Sequence, residues 1–233
     1  YGCPVTIDIF QIDFHRYNTV FTDSNPSLIP ILHPHHLFLI ITKTTINRFL
    51  FLITVKILYF IDKTSLIKEW WESEDDITLI TRPRRFGKTL NMDMLKCFFS
   101  NQYRDQGQLF EGLNIWKEEK YQQLQGTYPV IYLSFADVKQ TNYKDAVLKI
   151  KKIITDVYQQ YIELAGWEGL TEVQVRQFQS VDPYMDDVTA QCALKDLSGY
   201  LYRYYEKKVI ILLDEFDTPM QEAYLYGYWK EFT

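Results

Sequence analysis

Apolar residues recur at helical spacing in four segments of the chain, and this pattern predicts four helices. In the longest of them Val147, Ile154 and Leu164 belong to a stripe with a period of about 3.6 residues. The last helix follows a carboxylate that is typical of an N-cap, either Asp186 or Asp187. The four predicted helices cover residues 62–71, 90–99, 141–165 and 187–205.

Short, continuous apolar runs lie between these helices and after the last of them, and they predict buried strands. Runs of this kind are typical of parallel sheets that are covered on both faces. Strands that alternate with long helices predict an α/β fold, with helices layered on a sheet and right-handed crossovers. The three predicted strands cover residues 77–81, 130–135 and 209–213.

The first 58 residues differ in composition from the rest of the chain. They hold all four histidines, one glycine and three acidic residues, whereas a charge-rich, periodic pattern begins at residue 59. We therefore predict a domain over residues 59–233 and an atypical extension over residues 1–58 that is not part of it. A frame error is the favoured interpretation of the extension, and a β-rich segment, a poorly ordered segment and a membrane helix are the alternatives. Its longest uncharged apolar run, residues 49–55, is shorter than the ~20 residues that a membrane span needs, so no membrane contact is expected.

Charge and cysteine content narrow the classes of function. The net charge of −5 provides no overall basic field that would attract nucleic acid. Three cysteines without a Cys-x-x-Cys pair argue against a disulfide framework or a zinc site, and they favour a reducing compartment, so we expect the cytoplasm. The cluster of His33, His35 and His36 lacks a second group of ligands at a useful spacing, and a solvated turn is preferred over a metal site.

A Gly-Lys-Thr sequence lies between a predicted strand and a predicted helix. In that context the backbone N–H groups of the loop and of the helix start would cradle phosphate oxygens. Lys88 would reach the β- and γ-phosphates, and the hydroxyl of Thr89 would bind Mg²⁺. The generic motif has glycine where this chain has Arg82, and the competing interpretation is a surface Lys-Thr pair at a helix start. The predicted nucleotide-binding residues are Arg84, Arg85, Phe86, Gly87, Lys88, Thr89 and Leu90.

The apolar run over residues 209–213 ends in two adjacent carboxylates, Asp214 and Glu215. An apolar strand that ends in Asp-Glu is a Walker B pattern. In such a site Asp214 would hold Mg²⁺ through water, and Glu215 would be the catalytic residue that orients the attacking water. The alternative is a strand that simply reaches solvent. Asp217 either supports the metal or favours the start of the next helix, for which Thr218 is the predicted N-cap of a capping box.

With both motifs in place, the chain resembles the predicted AAA-ATPase-like proteins. The resemblance rests on residues 59–64, 79–89, 128–135 and 209–219, and its most specific part is the string Thr-Arg-Pro-Arg-Arg-Phe-Gly-Lys-Thr. In this family an arginine at the position of Arg82 is normal. A further family signature, Asp62-Lys63-Thr64, either lies near the nucleotide base or caps the first helix.

The resemblance implies a P-loop NTPase fold, a three-layer α/β sandwich with a parallel sheet. In proteins of this class the next strand carries a polar sensor residue and inserts between the P-loop strand and the Walker B strand. That strand would lie beyond Thr233, so we expect the sandwich to be incomplete at the C-terminus. Members often carry a C-terminal PD-(D/E)XK nuclease-like domain, through which the whole protein would contact nucleic acid.

Three functional hypotheses follow from these features. The first is ATP binding with Mg²⁺, with Mg-dependent hydrolysis in the full-length parent protein. The second is a nucleotide-dependent switch with little or no turnover, which serves an attached nuclease-like or partner domain. The third is a fragment without activity. Residue patterns do not decide between the three, and they specify neither the nucleotide base nor the oligomeric state.

Overall fold

The computed structural model describes residues 61–81 and 86–232. The predictions for the extension over residues 1–58, for its histidine cluster and for Arg82, Arg84 and Arg85 lie outside the described residues. Within the described ranges, no helix combines the length and the apolar character that crossing a membrane would require.

Two parallel strands form the sheet of the described part of the chain. Strand β1 is Val130–Ser134 and strand β2 is Ile210–Asp214. In their register Val130 lies opposite Ile210 and Ser134 lies opposite Asp214. Both strands appear where the apolar runs predict them. Because the strands are parallel, their carboxyl ends meet at one edge of the sheet.

The third predicted strand is wrong. Residues 77–81 form no strand, although their side chains are mostly half-buried. A strand exists only through hydrogen bonds to a neighbouring strand, and both described strands pair with each other. The segment is attached through a side chain instead, because the indole N–H of Trp70 donates to Oγ1 of Thr78 at 3.0 Å. An apolar run by itself does not supply the missing neighbour.

The helices of the described residues include all four that periodicity predicts. The α-helices are α1 (Ser65–Ser73), α2 (Lys88–Phe99), α3 (Glu119–Leu124), α4 (Tyr143–Gln159), α5 (Glu172–Gln179), α6 (Asp187–Tyr205), α7 (Thr218–Tyr226) and α8 (Trp229–Phe232). Asp186 is the N-cap of α6, and its side chain accepts a hydrogen bond from the N–H of Thr189. Short 3₁₀ helices cover Asn101–Leu109, Asn114–Lys117 and Ile162–Gly166.

The longest predicted helix ends six residues early. Helix α4 begins after Asn142, whose side chain accepts from the N–H of Asp145, and the α-helical hydrogen bonding stops at Gln159. Tyr161 then leaves helical geometry with φ of −123°, and its hydroxyl donates to the carbonyl of Val130 at 2.6 Å. The apolar period continues past this break because Tyr161 and Leu164 remain buried in the following 3₁₀ turn.

Helices cover both faces of the two-stranded sheet. Alternate strand residues point to opposite faces. Val130 and Leu212 belong to the core cluster formed with α1 and α2, whereas Ile131 and Leu133 belong to the cluster formed with α4 and α6. The described residues therefore have an α/β fold, with helices on both faces of a parallel sheet. The complete three-layer P-loop sandwich stays a prediction, since the described sheet has two strands.

The Asp62-Lys63-Thr64 signature connects the start of α1 to a distant 3₁₀ helix. Asp62 Oδ1 accepts hydrogen bonds from the N–H and hydroxyl of Thr64 at 2.9 and 2.6 Å, and its Oδ2 accepts from the N–H of Asn114 at 2.7 Å. The hydroxyl of the fully buried Thr64 accepts in turn from the N–H of Ile115 at 3.1 Å. Thr64 occupies the N-cap position of α1, but its side chain makes no capping bond to that helix. These contacts give Asp62 and Thr64 a structural role, because they join the start of α1 to the 3₁₀ helix.

We expect Asp62→Ala to lower the free energy of unfolding by about 1–3 kcal/mol. The substitution removes a charged acceptor from three donors, and hydrogen bonds of this kind contribute on that order. Urea denaturation measures the change. The matched control is Asp76→Ala, at an exposed position just after α1, which should change stability by less than about 0.5 kcal/mol. Equal shifts for the two variants would contradict the assigned role.

Candidate functional site

Asp214 is a buried carboxylate at the carboxyl edge of the sheet. It is the last residue of β2 and its side chain is only 4% exposed. Two hydroxyls of the neighbouring strand approach its Oδ2, with Tyr132 at 3.4 Å and Ser134 at 3.5 Å. The alternation of the strand places Tyr132, Ser134 and Asp214 on the same face of the sheet, toward α2.

Two residues of the predicted phosphate loop, Lys88 and Thr89, act on this carboxylate. Burial raises the pKa of Asp214, and the negative charge of Glu215 adds to that shift. The nearby side chain of Thr89 and the positive charge of Lys88 act in the opposite direction and lower the pKa. Since burial disfavours the charged form, a cation at this position would be stabilising. The fold thus brings Lys88 and Thr89 to the end of β2.

The start of α2 carries backbone N–H groups that have no partner inside the helix. Gly87 is the N-cap with φ of 78°, a left-handed conformation that favours glycine, and a Cβ at this position would meet nothing within 4 Å. The helical bonding begins with the N–H of Asn91 to the carbonyl of Gly87 at 2.9 Å. The N–H groups of Lys88, Thr89 and Leu90 precede that bond, so helix geometry leaves them without partners inside the helix. They form the positive end of its dipole.

The two other described residues of the predicted binding set, Phe86 and Leu90, differ in their burial. Phe86 is 55% exposed. The side chain of Leu90 packs against the core cluster beneath α2 and anchors the first helical turn. Arg84 and Arg85 fall outside the described residues.

Glu215 follows β2 in an unusual backbone conformation. Its φ is 51°, in the left-handed region that non-glycine residues seldom adopt. The two other non-glycine residues with positive φ in the described chain, Glu74 and Glu206, each end a helix, whereas Glu215 ends a strand. The turn is closed by Thr218, whose N–H donates to the carbonyl of Glu215 at 3.0 Å and whose hydroxyl donates to Glu215 Oε2 at 3.4 Å. Backbone strain of this kind costs about 1–3 kcal/mol and clusters at functional sites.

The predicted capping box after this turn is wrong. Helix α7 already begins at Thr218, and Asp217 occupies the N-cap position without a side-chain capping bond. The hydroxyl of Thr218 reaches back to Glu215, so it is not available to cap the helix. Asp217 accepts a hydrogen bond from Nε2 of Gln221 at 2.6 Å, which supports the local structural alternative for this carboxylate.

A comparison with models of protein families gives one finding. The family model described as a predicted AAA-ATPase matches residues 43–231. The chain belongs to the predicted AAA-ATPase family. The matched range begins at residue 43, ahead of the domain boundary predicted at residue 59. Comparisons with curated proteins and with solved structures find no match.

In this AAA-ATPase-like chain, the oxygen atoms at the sheet edge have the chemistry that Mg²⁺ prefers. Mg²⁺ is usually bound by one or two protein oxygens together with phosphate oxygens and waters. Thr89 supplies a hydroxyl, and Asp214 supplies a carboxylate whose pKa that side chain lowers. Among the described residues no group of three or more His, Cys, Asp or Glu side chains is placed to hold a metal by itself. The residues therefore fit a metal that arrives with a phosphate ligand.

The sequence motifs did not include three polar residues close to Asp214, which are Tyr132, Lys96 and Asp93. Lys96 lies in α2, with Nζ 3.1 Å from Oδ1 of Asp93 and 4.8 Å from the ring centre of Tyr132. Burial raises the pKa of Tyr132, and the charges of Asp214 and Asp93 raise it further, so its hydroxyl stays protonated. One sequence signal was available, because Tyr132 and Ser134 alternate with apolar residues in the strand. The sequence does not show, however, that these two hydroxyls approach Asp214, because that contact depends on the pairing of β1 with β2.

Proposed function

We propose that this chain binds ATP together with Mg²⁺ at the carboxyl edge of the sheet, and that the full-length protein hydrolyses it. One observation carries the proposal. Helix α2, which begins with Lys88 and Thr89, packs against β2, which ends in the buried Asp214, and the Thr89 side chain lies close enough to lower the pKa of that carboxyl although the two residues are far apart in sequence. A hydroxyl at a helix start beside a buried carboxylate is the arrangement that a Walker A and Walker B pair requires.

The proposed roles follow from the positions of the groups. The N–H groups at the start of α2 bind phosphate oxygens, and Lys88 contacts the β- and γ-phosphates. Thr89 and Asp214 hold Mg²⁺, with Asp214 acting through a bound water. Arg84 and Arg85 add positive charge against the triphosphate. A three-layer P-loop sandwich with a parallel sheet is part of this proposal.

Hydrolysis requires a residue that orients water, and Glu215 is the proposed catalytic residue.

A second candidate function is a nucleotide-dependent switch with little turnover, acting on an attached nuclease-like or partner domain. One observation favours it: the hydroxyl of Thr218 donates to Oε2 of Glu215 at 3.4 Å, which holds the carboxylate against its own turn. Tight Mg·ATP binding without phosphate release would support the switch. Phosphate release that Glu215→Gln abolishes would support hydrolysis.

The metal half of the site is tested by Asp214→Asn, which keeps the shape of the side chain and removes its charge. We expect the wild-type chain to bind ATP more tightly in MgCl₂ than in EDTA, and the variant to lose about 10- to 100-fold of that gain. Titration with a fluorescent ATP analogue under both conditions measures the two affinities.

The matched control for this experiment is Asp196→Asn in α6. Asp196 is also a partly buried aspartate whose pKa is raised by burial, but it lies on a helix that packs on the other face of the sheet. It should leave both affinities unchanged. An unaltered magnesium response in Asp214→Asn would overturn the proposed metal site.

A further inference from the structure

Tyr132 is a large polar side chain whose hydroxyl meets the end of the neighbouring strand. It donates to Oδ2 of Asp214 at 3.4 Å, and the hydroxyl of Ser134 approaches the same oxygen at 3.5 Å. Both hydroxyls of β1 therefore meet one oxygen of the carboxylate. Oδ1 is the oxygen that they leave for other partners.

A buried ion pair lies against the ring of Tyr132. Lys96 and Asp93 form this pair within α2, with largely buried side chains and 3.1 Å between Nζ and Oδ1. The Lys96 ammonium also lies 4.8 Å from the ring centre of Tyr132, a distance at which a cation is attracted to an aromatic face. Since α2 begins at Lys88, the ring connects the helix of the phosphate loop to the carboxylate at the end of β2.

The two strand hydroxyls are not equivalent in how firmly they are held. The ring of Tyr132 packs against the core cluster beneath α2 and has Lys96 over it. Ser134 has a short side chain whose hydroxyl rotates easily between partners. The position of the Tyr132 hydroxyl is therefore set by packing, and it supplies a fixed contact for Asp214.

We propose that Tyr132 is a positioning residue for magnesium: by holding Oδ2 of Asp214, it orients the carboxylate so that Oδ1 faces the metal and its water. This inference rests on the proposed function and adds to it a residue that lies outside both sequence motifs. Tyr132 acts through Asp214 and touches neither nucleotide nor metal. Removal of a partner that orients a metal-binding group typically lowers metal affinity by about 10- to 100-fold.

Tyr132→Phe tests the inference, because it removes the hydroxyl and keeps the ring. The affinity for ATP is measured in MgCl₂ and in EDTA, and the unfolding midpoint is measured in urea. We expect the gain in affinity from magnesium to fall about tenfold, with the affinity in EDTA unchanged. Tyr128→Phe is the matched control, since Tyr128 packs against the same core cluster but precedes β1, at the opposite end of the sheet from Asp214. It should retain the full magnesium response.

The outcomes separate this inference from the function on which it rests. If Tyr132→Phe matches the control while Asp214→Asn loses the magnesium response, Tyr132 has no positioning role and the proposed function stands. If Tyr132→Phe weakens ATP binding equally with and without magnesium, its role is structural and the inference is overturned. If Asp214→Asn keeps the full magnesium response, the proposed metal site and the role of Tyr132 are overturned together.

Discussion

Lys88→Ala is expected to weaken ATP binding by on the order of 100-fold, with or without magnesium. The substitution removes a cation that would contact the phosphates directly, and a hydrogen bond to a charged group contributes up to about 3 kcal/mol. The loss should persist in EDTA, because this contact does not pass through the metal. Titration with a fluorescent ATP analogue measures it, and the persistence in EDTA distinguishes Lys88 from Asp214.

The fold should tolerate this change well. Lys88 is the first residue of α2, where alanine is a good helix former and where a positive side chain opposes the helix dipole. Lys208→Ala is the matched control, since Lys208 is an exposed lysine just before β2, at the opposite end of the sheet. Full ATP affinity in Lys88→Ala, or an equal loss in Lys208→Ala, would contradict phosphate binding at the start of α2.

Leu197→Ala is expected to lower the free energy of unfolding by about 2–5 kcal/mol. Leu197 lies in α6, is completely buried and belongs to the core cluster under Ile131 and Leu133 of β1. Alanine carries no helix-propensity penalty, so the loss comes from the missing apolar contacts and the cavity that they leave. Small domains are stable by only about 5–15 kcal/mol, so the midpoint of urea denaturation should fall clearly.

Leu225→Ala is the matched control for the core substitution. Leu225 lies in α7 and is 71% exposed, so its removal should change the free energy of unfolding by less than about 0.5 kcal/mol. A small effect at Leu197, comparable with that at Leu225, would show that α6 does not pack on the sheet as described.

Several elements were predictable because their causes are local. The strands β1 and β2 appear at the two apolar runs, and α6 appears with Asp186 as its cap, since burial and capping depend on nearby residues. Helix α2 also appears where a helix was predicted after the Gly-Lys-Thr sequence, although it begins at Lys88 and not at Leu90. The family membership follows from the same motifs and is confirmed by the family comparison.

Other predictions failed where a distant residue supplies the decisive contact. Residues 77–81 have the composition of a strand, but a strand needs a neighbour that this run does not contain. The periodic stripe through residues 141–165 did not reveal that Tyr161 leaves the helix and hydrogen-bonds Val130. Thr218 looked like a helix cap and instead holds Glu215. In each case the local pattern was compatible with two structures, and tertiary contacts selected one.

The sequence by itself determined the two halves of the candidate site: a helix that starts at a Gly-Lys-Thr, and an apolar strand that ends in Asp-Glu. Each half depends on residues within a few positions of one another. Only the tertiary structure decided that the start of α2 acts on Asp214, that Tyr132 hydrogen-bonds this carboxylate and that Lys96 lies over the ring of Tyr132. Those contacts depend on the parallel register of β1 and β2 and on the packing of α2 against their common face. No local pattern encodes that register, because paired residues such as Ser134 and Asp214 are 80 positions apart in the sequence.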